Sequence, residues 1–579
     1  MKKTWLMALV VVAALLICGP AMAQWWPQWG RNPQHTSSVG VAGQPVNNIL
    51  VDILYDANVE AEKADPFTET DLLVHYQVPL IDGDNVFMEF KGGTYTDIQH
   101  WDTQAWSERR LHWEHGTLVQ KWSFDSDWKP EQFSNAATGP QWEPVFHALL
   151  ANGAIYVPGA GGTMFKVNKT SGAQLARFNP FGSTVDQDIY VAGVPSADAS
   201  GNVYYTAMKL SHGYPWNSDV VNSWLVKITP GGSMQTATFA SLTPGAPAAN
   251  DKCAVAFNIN QLPWPPSPDA VAPVSNCGSQ RPGINAAPAI APNGTIYLIS
   301  TAHLNNRTGY LVAVNPNLTP KWKASLAERF TDGCGSSLLP ANGTPGGCRA
   351  GANLGVDPST NRPGSGRVLD ESTSSPTVAP DGSIFYGAYT RYNYAQGHLM
   401  KFSSSGAYLG AYSFGWDLTP AIYPHGGTYS VVIKDNQYGE DIGSYCNDET
   451  YCPGDRTANH PSYPEAYFIT QLNSSLGVEW KWQDTNTLSC SRDSNGQVTC
   501  VDDHPHGFEW CVNAPVVDSN GLVYGNSEDG NLYVIQQGGT LYDSLFLNLA
   551  LGAAYTPLSI DQQGKIYTQN DGHLFVVGN

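Results

Sequence analysis

The stretch Asn513–Ile535, NAPVVDSNGLVYGNSEDGNLYVI, constrains this chain more than any other. Three β-rich runs, at Ala514–Val517, Leu522–Tyr524 and Leu532–Ile535, are separated by turns at Asp518-Ser519-Asn520-Gly521 and Glu528-Asp529-Gly530. Short apolar runs broken by Asp/Asn/Gly predict a three-stranded antiparallel meander. Glycine and asparagine supply the positive φ that tight turns need. A lone sheet cannot bury both of its faces, so the unit requires copies of itself. Further copies begin at Pro79, Pro144, Pro195, Pro288, Pro376, Pro420 and Pro557, which with Pro515 makes eight. Most continue as a turn and then a Gly-x-hydrophobic-Tyr run, as in Ser200-Gly201-Asn202-Val203-Tyr204 and Gln563-Gly564-Lys565-Ile566-Tyr567.

A fourth run follows in several copies, for example Pro320-Lys321-Trp322 after Tyr310–Val314, and Val478-Glu479-Trp480 after Tyr467–Ile469. Four antiparallel strands per unit, repeated radially, predict an all-β fold, a single eight-bladed β-propeller. The pattern resembles the quinoprotein-type (PQQ-like) propeller repeat. The segment Trp26-Pro27-Gln28-Trp29-Gly30-Arg31-Asn32-Pro33-Gln34-His35-Thr36 is similar to the opening of that family's propellers. The resemblance covers nearly the whole mature chain and implies architecture; the fold hosts enzymes, scaffolds and binding proteins alike. The last copy ends at Asn579 with three runs, so the segment from Trp25 onward is expected to supply the missing outer strand and close the ring.

Residues 1–23 have the composition of a signal peptide: Lys2 and Lys3, an apolar Leu6–Ile17, and Ala21-Met22-Ala23 before the cut. Residues 24–579 are then the propeller, exported to the periplasm or beyond the cell. Cys18 offers a lipid-anchor alternative, which Ile17 before it disfavours. No other stretch approaches membrane length. The formal net charge of −20, with no run of basic residues, disfavours nucleic acid and anionic lipid.

The repeat prolines lie 42 to 95 residues apart. About forty residues suffice for a four-stranded blade. The surplus is expected as loop insertions around Gly245–Pro282, Asp332–Arg367 and Asp435–Pro464, with further loop at Leu488–Gly507. Eight cysteines sit there in close pairs: Cys253 with Cys277, Cys334 with Cys348, Cys446 with Cys452, and Cys490 with Cys500. Local disulfides reduce the entropy cost of ordering long loops in an oxidising compartment. Cys511 is left as a buried free thiol beside a strand.

Residues just before the repeat prolines are expected near one mouth of the central channel. They include Trp142, Glu143, Asp370, Glu371, Trp416, Asp417, Trp510, Asn513 and Tyr555. Converging aromatics and carboxylates could form a pocket, and tryptophans packing between blades are the structural alternative. Asp502–Trp510 is the densest group of ligand-type residues, with His504, His506 and Glu509 among them. Imidazole with carboxylate suits Zn, Mn, Fe or Ni, and a polar loop entering a blade is the simpler reading.

In the quinoprotein dehydrogenases that the repeat resembles, PQQ rests on a tryptophan floor. A metal beside it is held by Glu, Asn and Asp, an Asp acts as base, and two adjacent cysteines form a disulfide against the cofactor. This sequence has no Cys-Cys pair, and the metal and base positions find no match. The expectation is therefore a non-catalytic exported scaffold, without cofactor and monomeric, binding a protein, small ligand or glycan. The alternatives are a PQQ- or metal-dependent oxidoreductase and a carbohydrate-active propeller.

Overall fold

The structure is a computed structural model. It describes residues 26–579 except 67, 69–71, 73, 98–99, 101–102, 131–144, 213–217, 337–338, 340, 345–346, 371–373, 391, 393–396, 417, 439–465, 494, 512–513 and 553–555. The described residues form eight four-stranded antiparallel blades, two of them with an added short strand. The innermost strands are Leu80–Asp82, Leu149–Ala151, Ser196–Ala197, Ala289–Ile290, Thr377–Val378, Ala421–His425, Val516–Val517 and Ser559–Ile560, in blades 1 to 8. The outer strand of blade 8 is Asn48–Leu54, paired with His573–Gly578, so the N-terminal segment closes the ring as expected.

The repeat motif has a physical basis in the turn after each inner strand. Asp198, Asp518 and Asp561 each accept two backbone N–H groups of that turn: Ser200 and Asn202, Asn520 and Leu522, and Gln563 and Lys565. Their other oxygen takes the hydroxyl of the repeat tyrosine, Tyr204, Tyr524 or Tyr567. Aspartate and tyrosine thus satisfy a turn that would otherwise bury open backbone donors. The outer-strand tryptophans join neighbouring blades. Trp122 donates to Lys169 O at 3.1 Å and Trp322 to Ser404 O at 3.0 Å. The rings lie over Gly172 and Gly406, where a Cβ would come within 2.8 Å and 2.7 Å of them and where φ is +74° and +87°. Only glycine meets both demands.

Three of the expected disulfides are present, Cys253–Cys277, Cys334–Cys348 and Cys490–Cys500, and Cys511 is free and buried. Cys446 and Cys452 lie outside the described residues, as do residues 1–25. The first two insertions pack on each other. Phe257, Leu262, Trp264, Leu339 and the Cys334–Cys348 bridge form a small core of their own. The third insertion begins later than expected, because Asp435–Gln437 still belong to the strand Thr428–Gln437. Among the described residues no helix is long and apolar enough to cross a membrane.

The N-terminal segment does more than close blade 8. It runs around the end of seven inner strands in turn. Trp26 pairs with Ile81 at 3.0 and 2.9 Å. Leu150, Ile290, Val378, Ile422 and Val517 then donate their N–H groups to the carbonyls of Pro27, Pro33, Gln34, Thr36 and Ser37, over 2.6–3.0 Å. Ala197 is met by the Gln28 side chain at 2.7 Å. These seven residues are equivalent by register, pairing with Val86, Ile155, Val203, Ile296, Ile384, Val431 and Val523. One strap of chain therefore satisfies the inward donors of the ring and seals one mouth.

Candidate functional site

The other mouth carries the connections between blades, and most of them are bonded to a neighbour. Ala148 N donates to Gln77 Oε1 at 2.7 Å, and Val145 N to Asn285 Oδ1 at 3.0 Å. Ala287 N reaches Ser375 Oγ at 2.8 Å, Ser375 N reaches Thr419 Oγ1 at 3.0 Å, and Ala514 N reaches Thr419 O at 3.0 Å. Asn526 Nδ2 meets Thr556 Oγ1 at 2.7 Å, and Gln569 Nε2 returns to Gln77 O at 2.7 Å. Trp29 of the strap enters from below and is fully buried between Val145, Val194 and Ala287, edge-on to His147 at 5.8 Å. Among the described residues this mouth thus has bonded connections over a buried tryptophan.

The buried titratable groups of this core are held neutral. His35 Nδ1 donates to Pro376 O at 2.8 Å, and burial lowers its pKa to about 4. His147 Nε2 accepts from Val78 N at 3.2 Å, and burial lowers its pKa to about 3. Both stay uncharged at neutral pH because an imidazolium loses its hydration there. Glu108 is pushed up to about 8 by burial, against a hydrogen bond from Gln77 Nε2, and its Oε2 has no partner among the described residues.

A second cluster lies where blades 6 and 7 meet. Glu509, Cys511 and Glu528 bring one ligand-type atom each within 4.8 Å of one another. The Cys511 thiol donates to Glu528 Oε1 at 2.9 Å, and Gly552 N donates to the same oxygen at 2.9 Å. Burial pushes the Cys511 thiol up, as do Glu528 and Glu509, with Lys434 opposing. Tyr438 is raised by burial and by Glu509. One sulfur and two carboxylates have the donor set of a thiophilic divalent cation, and Lys434 already supplies positive charge to the same group. Beside it, Asp484 is pushed up by burial and by Asp529, and Tyr533 OH reaches Asp529 Oδ2 at 2.5 Å and Asp484 Oδ1 at 3.4 Å.

The residues expected to matter fall into three groups. Trp142, Glu143, Glu371, Asp417 and Tyr555 lie outside the described residues. Trp510 is fully buried between blades, edge-on to Trp482 and Tyr533, and Trp416 packs edge-on to Tyr389 at 4.9 Å. Their indoles serve packing. His504 and Glu509 are both partly exposed but do not share a ligand group. His504 bonds Asp503 at 2.7 Å and Ser489 at 2.9 Å and stacks on Phe508, whereas Glu509 joins Cys511 and Glu528. His506 is partly exposed in the intervening turn. Glu528, Tyr438 and Lys434 were not anticipated. The only sequence signal for Glu528 was a hairpin turn, and the two others sit at the end of a strand.

The blade 2 repeat also differs from expectation. Its inner strand begins at Leu149, so Ala148 rather than Pro144 stands at the repeat position. Two pockets flank this region. One of about 560 Å³ lies on the sealed side between Pro27–Pro33 and the turns at Leu150–Asn152 and Ala197–Gly201. Another, of about 270 Å³, opens on the connection side against Lys129, Asp188, Tyr190 and His212.

No protein-family model matches the chain, and no curated protein matches it in sequence. Among solved structures it is similar to a quinohemoprotein alcohol dehydrogenase from Comamonas testosteroni, at 11% identity and a TM-score of 0.49 over 96% of this chain and 81% of that one. It is similar to a europium-containing methanol dehydrogenase, at 11% identity and 0.47 over 94% and 89%. It is also similar to BamB from Moraxella catarrhalis, at 10% identity and 0.36 over 88% and 98%.

Proposed function

We propose that this chain is an exported, non-catalytic β-propeller that binds a protein, small ligand or glycan on its connection-bearing mouth. The observation that carries the reading is the buried interior beneath that mouth: Trp29 is fully buried under bonded connections, and burial holds His35 and His147 neutral and tied to the backbone. A quinone cofactor needs a flat open floor, a cation beside its reactive carbonyl and a base in reach. Two observations support the reading against such a group: Trp29 is fully buried, and the sequence has no adjacent cysteine pair. Among the described residues the one free thiol, Cys511, and its neighbour Tyr438 are raised in pKa, which opposes nucleophilic chemistry at neutral pH.

The recognition surface is placed on the arm 485–511, with its exposed disulfide hairpin Leu488–Arg492 and Val498–Asp502 and the adjoining Asp502–Trp510 loop. Residues 1–23 are the export signal in this reading, and residues 24–579 the propeller. The test has two arms. Purified mature chain given PQQ and calcium is expected to show no dye-linked alcohol or sugar dehydrogenase activity. A cross-linkable envelope partner is expected to be lost when residues 502–510 are replaced by a Gly/Ser linker. Dye-linked activity that disappears in Glu143→Ala or Asp417→Ala would overturn the reading in favour of an oxidoreductase.

A further inference from the structure

The strap makes contacts unlike those of an ordinary connection. Between Trp26 and Gly43 its partners are inner-strand or turn residues of seven blades, from Ile81 to Ser519. Gln44 then bonds Gly564 in the eighth, and Asn48–Leu54 completes that blade. Almost every bond from the strap to the blades is with a residue more than a hundred positions away, and the covalent link to blade 1 is the connection 55–79. Carbonyls of the strap face ring N–H groups, Trp29 fills the channel, and His35 and Ser37 are fully buried within it. This is how an extended peptide sits in a receptor: main-chain bonds along its length, with buried side chains as anchors.

We propose that the sealed mouth is a peptide-binding site whose occupant is residues 26–54 of this chain, held by its own contacts and able to be supplied by a second copy. The connection to blade 1 then fixes which copy supplies the strap, by effective concentration, and is not needed for the strap to stay bound. Partners joined at a hinge loop in this way are the substrate of domain swapping. The charged flank agrees with a docked segment: Lys63 pairs with Asp571 of blade 8, and Glu62 and Asp56 pair with Lys91 of blade 1.

The test uses the full chain with a protease site inserted after Pro66, an exposed position in the connection. The folded protein is cleaved and passed over a sizing column, with circular dichroism as a check on the ring. The N-terminal fragment is expected to co-elute with an unchanged ring. On incubation with excess fluorescent peptide 24–66, label is expected to enter the ring peak. A peptide carrying Trp29→Ala and His35→Ala is expected to enter at least tenfold less. Release of the fragment on cleavage, with or without loss of the ring, would overturn the proposal. So would failure of the labelled peptide to enter, or equal entry of the doubly substituted one.

Discussion

The two mouths of the ring are built on opposite principles. The sealed mouth has short turns between inner and second strands, a continuous strap and, among the described residues, no disulfide. The connection mouth carries every described insertion, all three described disulfides, the buried carboxyls Glu108, Asp484 and Glu528 and the partly exposed Glu509. The difference follows from what each end must do. At the sealed mouth, equivalent backbone donors from seven blades demand one common partner, and length variation there would break the match. At the other mouth each connection only has to reach the next blade, so loops can lengthen and carry chemistry.

The largest effect expected from breaking this contrast is at the strap. Trp29→Ala should cost ~3–5 kcal/mol, the usual range for deleting a fully buried tryptophan. Chemical denaturation of the variant beside Tyr542→Ala, an exposed aromatic on an outer strand, gives the comparison, and the latter should lie within ~0.5 kcal/mol of wild type. Equal losses in both variants would remove the strap's special status.

Next comes the Cys334–Cys348 bridge at the connection mouth. Its loop of 14 residues predicts a loss of ~3 kcal/mol in chain-entropy terms when both cysteines become serine. The loss should be confined to the satellite core around Trp264, visible as faster proteolysis of the two insertions while the blades stay resistant.

The pH dependence of stability should carry two contributions of opposite sign. His35 and His147 have lowered pKa values, near 4 and 3, so below the unfolded value near 6.5 the unfolded chain binds more protons. Their contribution is present at neutral pH and is lost as pH falls from about 6.5 toward those values. Glu108 is raised to about 8, so between its ordinary value and 8 the folded chain binds the extra proton. Its contribution is present in acid and lost as pH rises through that window. Denaturation midpoints of Glu108→Gln against pH should therefore lose the decline on the alkaline side and keep the acid limb. A parallel shift at all pH values would contradict the assignment.

The smallest effect concerns Cys511. Its thiol is buried and pushed up by its carboxylate neighbours, so maleimide labelling mapped by mass spectrometry should mark it only after unfolding. Fast labelling of the native chain would place the thiol at an open surface.

Much of this was legible in residues 513–535 and their copies, because turn chemistry is local: Asp518, Gly521 and Tyr524 cap one turn within seven positions. The disulfides were legible for the same reason, each lying inside one insertion. Closure of blade 8 could be read from a missing strand at Asn579. The strap could not, since the partners of Pro33 and Gln34 are Ile290 and Val378, and nothing near Trp29 in sequence announces a channel. Pro144 misled because the chain spends four more residues before the inner strand of blade 2 starts at Leu149. The site was least legible. Glu528 looked like part of a turn, and its meeting with Cys511 and Glu509 depends on how two blades dock.

Hydrogen exchange on the intact chain tests the central claim most directly. If the strap seals one mouth, the amides of Leu150, Ile290, Val378, Ile422 and Val517 should exchange as slowly as those of second strands such as Ile155–Val157. Those of the hairpin Leu488–Asp502 on the opposite mouth should exchange by local opening, orders of magnitude sooner. Fast exchange at the five inner-strand amides, at the rate of the hairpin, would mean that the strap does not hold the ring and that the two mouths are alike.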